Sequence, residues 1–282
     1  FAALLLLIVS HSPQLYAADY RCRQESQPPA VFEGERLRVA SLNIAHGRGD
    51  ALNQLFVTRS GIEENLDRAA DLLSEVGANI LALQELDVDS AWSGNFHHAD
   101  YLLQQSPYEC MAVGIHASNW LYNFGTGLLS DMQMNDTQTV NFEPTPPTTN
   151  KGMTSGTLLW GNGKWVRPVL VVSVHLDFSR KSVREKQLDK IIEAIQSTEE
   201  ALIIMGDFNE EWANEDSVIQ ALVNNAGMQA YEPESPKHAS YKDKRLDWIL
   251  ISHQLEFTGH RVLPEQVSDH RLVVAEVRWR EE

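Results

Sequence analysis

Apolar positions in this chain recur with two periods, and each period predicts a different element. At Ile62, Leu66, Ala69, Ala70, Leu73 and Val76 the spacing is helical, so an amphipathic helix is expected over about 61–76, ending at Gly77. Val183, Leu188, Ile191, Ile192 and Ile195 mark a second helix, and a third is expected over about 215–226. Short runs rich in β-branched residues predict strands at Leu37–Ile44, Asn79–Leu83, Gly127–Leu129, Thr157–Trp160 and Val169–Leu176. Further strands are expected at Leu202–Met205, Asp247–Ile251, Glu256–Leu263 and Leu272–Trp279. The one Pro- and Thr-rich stretch, Asn141–Asn150, has apolar segments of similar composition on both sides, which marks a surface loop rather than a boundary. The pattern reads as a single mixed α/β domain with much β.

The N-terminus departs from this pattern. Residues 1–9 are uniformly apolar, too short a run to span a bilayer, which takes about 20 residues, but suited to the apolar region of a secretory signal. Cleavage near Ala17 or Ala18 is expected, so residues 1–18 are read as a signal, 19–35 as a polar lead segment and 36–282 as the folded domain of a secreted or periplasmic protein. Cys22 and Cys110 are the only cysteines, too few for a structural zinc site and able to pair in an oxidising compartment. The 282 residues are enough for a sizeable core. With 23 Lys and Arg against 39 Asp and Glu, the net charge of −16 argues against a carrier that grips nucleic acid by bulk positive charge.

Polar residues stand repeatedly at the ends of the apolar strands, where a sheet edge would aim them into one cleft. Asn43 ends VASLN, Glu85 ends ILALQE, and His175 and Asp177 end LVVSVHLD. Asp207 and Asn209 follow LIIMG, Asp247 opens DWILIS, and Asp269 and His270 precede LVVAEV. Carboxylates with an amide and no cysteine suit a hard cation such as Mg²⁺, Mn²⁺ or Ca²⁺. Two histidines near carboxylates suit proton transfer, because imidazole titrates close to working pH. Together they are the equipment for attacking a phosphate ester with water.

The motifs SLNI, ALQELD, VVSVHLD, IIMGDFN, KRLDWILIS and SDHRLVVAEV, in that order, resemble the motif set of the endonuclease/exonuclease/phosphatase superfamily over about 37–280. The resemblance implies an α+β fold, a four-layer αββα sandwich of two packed mixed sheets flanked by helices. It also implies Mg²⁺ as cofactor, Mn²⁺ or Ca²⁺ being alternatives, with Glu85 as principal metal ligand, Asn43 beside it and Asp269 near the ion. Asp207 would position or deprotonate water, Asn209 would hold a phosphate oxygen, and His270, oriented by Asp247, would stabilise the transition state. His175 matches the second histidine of the deoxyribonuclease and sphingomyelinase branches. The implied activity is metal-dependent phosphodiester hydrolysis, with a phosphomonoesterase or a catalytically silent binding module as alternatives. The partner expected is a phosphate-ester substrate, whether DNA, RNA, a phospholipid or a small phosphodiester, and no obligatory protein partner is inferred.

Substrate choice is expected from loops. Arg48 in His46-Gly47-Arg48-Gly49 and Arg245, in a basic stretch with Tyr241, Lys242 and Lys244, are candidate substrate contacts, and so is Asp177, which an extended strand would place on the same side as His175. Ser90–Asp100 and Ala117–Gly127 are rich in aromatic residues, whose rings either stack on bases, dip into lipid or pack down on the sandwich.

Overall fold

A computed structural model describes residues 14–23, 27–196 and 198–281. In chain order it forms β1 (Leu15–Ala17), β2 (Asp19–Cys22), β3 (Leu37–Asn43), α1 (Arg59–Val76), β4 (Ile80–Asp87), α2 (His98–Gln105), β5 (Cys110–Ser118) and β6 (Asn123–Ser130). There follow β7 (Asn135–Asn141), β8 (Gly152–Gly161), β9 (Val166–His175), α3 (Lys181–Ile195), β10 (Ala201–Asp207) and α4 (Val218–Asn225). The last strands are β11 (Met228–Ala230), β12 (Asp247–Ser252), β13 (Leu255–Val262) and β14 (Val273–Trp279). They make two mixed sheets of seven strands, ordered β1-β7-β8-β9-β10-β12-β11 and β13-β14-β3-β4-β6-β5-β2.

Period-two alternation on strands covered from both sides explains the layers. Leu37 and Val39 of β3, Val169 and Val171 of β9, Ile203 and Met205 of β10, Ile249 and Ile251 of β12, and Val273 and Ala275 of β14 meet in one core between the sheets. Their alternates pack outward. Ala40, Leu42, Leu81 and Leu83 meet α1 and α2, and Val172, Val174, Ile204 and Leu250 meet α3 and α4. The result is an α/β/β/α sandwich, the α+β architecture expected.

Helix α1 begins where Thr58 accepts a hydrogen bond from Gly61 N and ends at Gly77, whose φ of 58° is left-handed. Six of the described elements, β1, β2, β5, β7, β11 and α2, escape the sequence pattern. Strand β7 (NDTQTVN) is almost wholly polar, β5 is interrupted by Gly114 and His116, and α2 is only eight residues long. The segment read as a polar lead is not separate from the domain: β2 pairs with β5, and Cys22 and Cys110, partners in register, form a disulfide. Four residues alternating between exposed and half-buried positions carry too little apolar signal to reveal such an edge strand. Of the expected signal segment, residues 1–13 lie outside the described residues, whereas Leu15–Ala17 pairs with β7 at the edge of the other sheet.

Candidate active site

The inward faces of the strands that fill the inter-sheet core change character at one end of the sandwich. One step beyond the apolar alternates come Gln84 on β4, Asp207 on β10 and Asp247 at the start of β12, while Asn43 on β3 and His175 on β9 follow buried Ser41 and Ser173 on the same face. Asp207 is in register with both His175 and Asp247. Continuing a buried face past the core is what carries these polar groups to the floor of one cleft, about 440 Å³ in volume, which Asn43, Glu85, His175, Asp207, Asn209 and His270 help to line.

Glu85 arrives by another route. Regular alternation would turn it, like Leu81 and Leu83, toward α1. A bulge intervenes: Gln84 pairs with Thr126 and Leu86 with Gly125, so Glu85 is the extra residue, at φ 51°. The bulge turns its side chain into the cleft and lets Leu86 take the helix-facing position. Gly206, just before Asp207, is needed for a related reason. Its φ is 151°, and a Cβ there would lie 1.9 Å from Val174 O.

Asp207 is the hub. Asn43 Nδ2 donates to its Oδ2 at 3.0 Å, while His175 Nε2 and His270 Nε2 lie 3.6 and 3.8 Å from the same oxygen. Asn209 N donates to its Oδ1 at 2.9 Å. His270 Nδ1 meets Asp247 Oδ2 at 2.7 Å. Burial on its own would lower the His270 imidazolium, but Asp247 and then Asp207 outweigh it and raise the group from 6.5 to about 10. Burial, reinforced by Asp247 and opposed by His270, pushes Asp207 upward. His175 goes the other way. Burial and then the Lys151 ammonium drive it well below its ordinary value, so its ring is neutral.

Lys151 is a site residue that sequence reasoning missed. It is buried at the end of the long loop before β8, with Nζ 3.3 Å from His175 Nδ1 and 3.1 Å from Nε2. Nearly equal approach to two nitrogens flanking Cε1 places the ammonium over the ring rather than on either lone pair. His46 was singled out only as a neighbour of Arg48, yet it bridges two carboxylates, with Nε2 3.3 Å from Glu85 Oε2 and Nδ1 3.3 Å from Asp87 Oδ1. Burial disfavours its charged form, but Glu85 and Asp87 raise it overall. Trp92 Nε1 and Ser90 Oγ complete the carboxylate of Asp87. Burial would raise Glu85, but His46, Lys151, His175 and His270 hold it well below the carboxylate range. A lone Lys after a proline-rich loop and a His inside a glycine turn carry no periodicity, so only the fold reveals them.

The remaining candidates divide. Arg48 and Asp269 line the cleft as a pair, Nη2 to Oδ2 at 2.7 Å. Asn209 lines it too, its Nδ2 donating to Leu176 O at 3.0 Å. Asp177 does not face the cleft, a correction to the expectation from strand alternation. β9 ends at His175, and beyond it the Asp177 carboxylate turns inward to accept from Ser179 N, Arg180 N and Thr148 Oγ1. Arg245 is likewise corrected: it faces away, donating to Tyr231 O and Glu232 O with its guanidinium 3.9 Å from the Trp248 ring centre. Its neighbours Tyr241, Lys242 and Lys244 do reach the cleft.

Ligand atoms of Asp207, Asp247 and His270 lie within 4.8 Å of one another, and Asp247 Oδ1 is buried without a hydrogen-bond partner. In the same cleft the carboxylates of Glu85 and Asp269 and the amide of Asn43 form an oxygen-rich donor set without thiolate, which fits a hard divalent cation.

A model of the Endonuclease/Exonuclease/phosphatase family matches residues 40–270. Among solved structures, an endonuclease/exonuclease/phosphatase from Beutenbergia cavernae is 14% identical, with a TM-score of 0.69 over 87% of this chain and 72% of that one. The human Nocturnin catalytic domain with bound sulfate anion is 17% identical, with a TM-score of 0.62 over 93% and 98%. A mannosyl-6-phosphatase from Bacteroides thetaiotaomicron is 13% identical, with a TM-score of 0.62 over 86% and 100%. At such identities the likeness is one of fold. No curated protein matches the chain.

Proposed function

The chain belongs to the Endonuclease/Exonuclease/phosphatase family, a family of phosphoester hydrolases, and on that footing we propose that it is an exported, divalent-metal-dependent phosphodiesterase. The observation that carries the reading is Asp207 Oδ2 held between two histidines, His175 Nε2 at 3.6 Å and His270 Nε2 at 3.8 Å, with His270 Nδ1 backed by Asp247 at 2.7 Å. Asp207, raised by burial, accepts a proton from the attacking water as the new P–O bond forms. His270, kept protonated by Asp247, donates to the phosphoryl oxygens as charge builds there. His175, neutral, hydrogen-bonds the leaving oxygen as the ester P–O bond breaks, and the departing alkoxide takes its proton from solvent water. Glu85 and Asn43, with Asp269 beside them, would hold the metal ion, which supplies Lewis-acid charge to a phosphoryl oxygen. Export is supported by the apolar run at 1–9 and by the Cys22–Cys110 disulfide, a bond of oxidising compartments.

The test is His270→Ala and Asp207→Ala on bis-p-nitrophenyl phosphate with Mg²⁺, Mn²⁺ or EDTA. Each is expected to cost about 10²–10³ in rate, and rates within about tenfold of the parent for both would overturn the assignment. Because one structural neighbour is a mannosyl-6-phosphatase, the same panel includes sugar phosphates and p-nitrophenyl phosphate. Faster turnover of those monoesters than of any diester would replace this reading with the monoesterase one.

A further inference from the structure

Among the described residues nine large apolar side chains are exposed, and five of them stand on loops at the end of the sandwich that carries the cleft, with Phe178 in its lining. Leu52, 95% exposed, Leu55 and Phe56, 82% exposed, belong to the segment that leads from Arg48 to α1. Trp120, 89% exposed, is at the turn between β5 and β6, and Phe178, 64% exposed, lines the cleft just after β9. The first four share one base. The turn Gln54–Phe56 packs on the turn Ala91–Ser93, Trp92 N donates to Leu121 O at 3.3 Å, and the Trp92 ring lies 4.5 Å from that of Tyr122. Trp92, Tyr122 and Phe124 therefore pack down as a rigid footing, while Phe56 and Trp120 project from it.

Apolar groups gathered in this way mark an interaction surface. We propose that this patch docks the protein on a zwitterionic phospholipid surface and presents a headgroup phosphodiester to the cleft, an inference that rests on the phosphodiesterase reading above. The position of the patch selects the occupant. A protein seated on the loops at this end would close the cleft to substrate, whereas a bilayer carries its phosphates in the surface itself. Arg48, Lys242 and Lys244 line the cleft together with the exposed Phe178, matching a layer of phosphates that overlies acyl chains. The net charge of −16 opposes approach to an anionic bilayer and leaves a zwitterionic one.

The experiment is flotation of the full chain with phosphatidylcholine vesicles in EDTA, so that binding is read without turnover. The parent chain should float with the vesicles, and Phe56→Ser and Trp120→Ser should each lower its partitioning roughly tenfold, and together about a hundredfold. Hydrolysis of soluble bis-p-nitrophenyl phosphate and the melting temperature should stay unchanged in the double variant. The proposal is overturned if the parent does not float, if the double variant floats like the parent, or if anionic vesicles are bound more tightly than zwitterionic ones. It is also overturned if the parent sediments as a dimer that the double substitution dissociates, which would assign the patch to a second copy. Failure to hydrolyse any diester would defeat the phosphodiesterase reading while leaving the flotation result to stand or fall separately.

Discussion

Replacing Asp247 with Asn tests the charge arrangement at its most buried point. The carboxylate is buried and holds His270 Nδ1 at 2.7 Å. Asn keeps the shape and still accepts a hydrogen bond from Nδ1, so the substitution removes charge more than geometry. The rise of His270 from 6.5 to about 10 corresponds to an upper bound of roughly 5 kcal/mol favouring imidazolium. Asp247 and Asp207 produce that rise against the opposing effect of burial. If Asp247 supplies half of it or more, the imidazolium loses about 2–4 kcal/mol, so kcat should fall about 10- to 10³-fold near pH 10 and only a few-fold at neutral pH. The sign with pH follows from the direction of the shift. Activity that depends on protonated His270 is present in the parent below about 10 and falls as pH rises through that value. In Asp247→Asn the fall should move toward the ordinary imidazole value, about 6.5. Steady-state kinetics on bis-p-nitrophenyl phosphate at fixed Mg²⁺, followed from about pH 5 to about pH 10, reads both effects. A kcat within about tenfold of the parent near pH 10, together with an unmoved alkaline limb, would refute the reasoning.

Other outcomes follow from single features. Gly206→Ala places a Cβ 1.9 Å from Val174 O at φ 151°, so urea unfolding should show a loss of roughly 3 kcal/mol or more. Replacing Cys22 and Cys110 by Ser opens a bond that closes 88 residues of chain, and the same assay should show a loss of about 2–4 kcal/mol, as should reduction of the parent. Lys151→Met removes the ammonium lying over His175. NMR titration should then find that imidazole closer to its ordinary value, with kcat lowered about 10-fold to 100-fold. Glu85→Gln removes the carboxylate delivered by the bulge, and calorimetry should show Mg²⁺ or Mn²⁺ binding weakened at least about tenfold.

How much was legible in the sequence depends on whether a residue's placement is periodic. Asp207 and Asp247 continue an alternating apolar face by one step, and Asn43 and His175 continue one after a single buried serine, so runs such as VASLN and LIIMGD announce both the strand and the group at its end. Asp177 was misread because alternation persists only while the strand does, and β9 stops at His175. Arg245 was misread because a run of basic residues has no direction, and this one turns under Trp248. Lys151 and His46 were invisible as site residues. One depends on where a proline-rich loop returns to the sheet, and the other on a left-handed backbone at φ 56°. Neither is encoded in hydrophobic period.

The acidic balance of the chain takes on a different meaning once the cleft is assembled. The carboxylates of Glu85, Asp207, Asp247 and Asp269 converge there, and four groups scattered through the sequence, His46, Lys151, His270 and Arg48, each meet one or more of them. Coulomb interactions strengthen as water is excluded, so this local pairing governs the approach of a phosphate at short range more than the net −16 does. Most other charges lie on surfaces where salt screens them over about 10 Å. A cleft compensated in this way suits a phosphate ester while the surface as a whole repels a long polyanion. On the phosphodiesterase reading proposed above, small or membrane-borne diesters, rather than extended nucleic acid, would be the substrates that this distribution of charge favours.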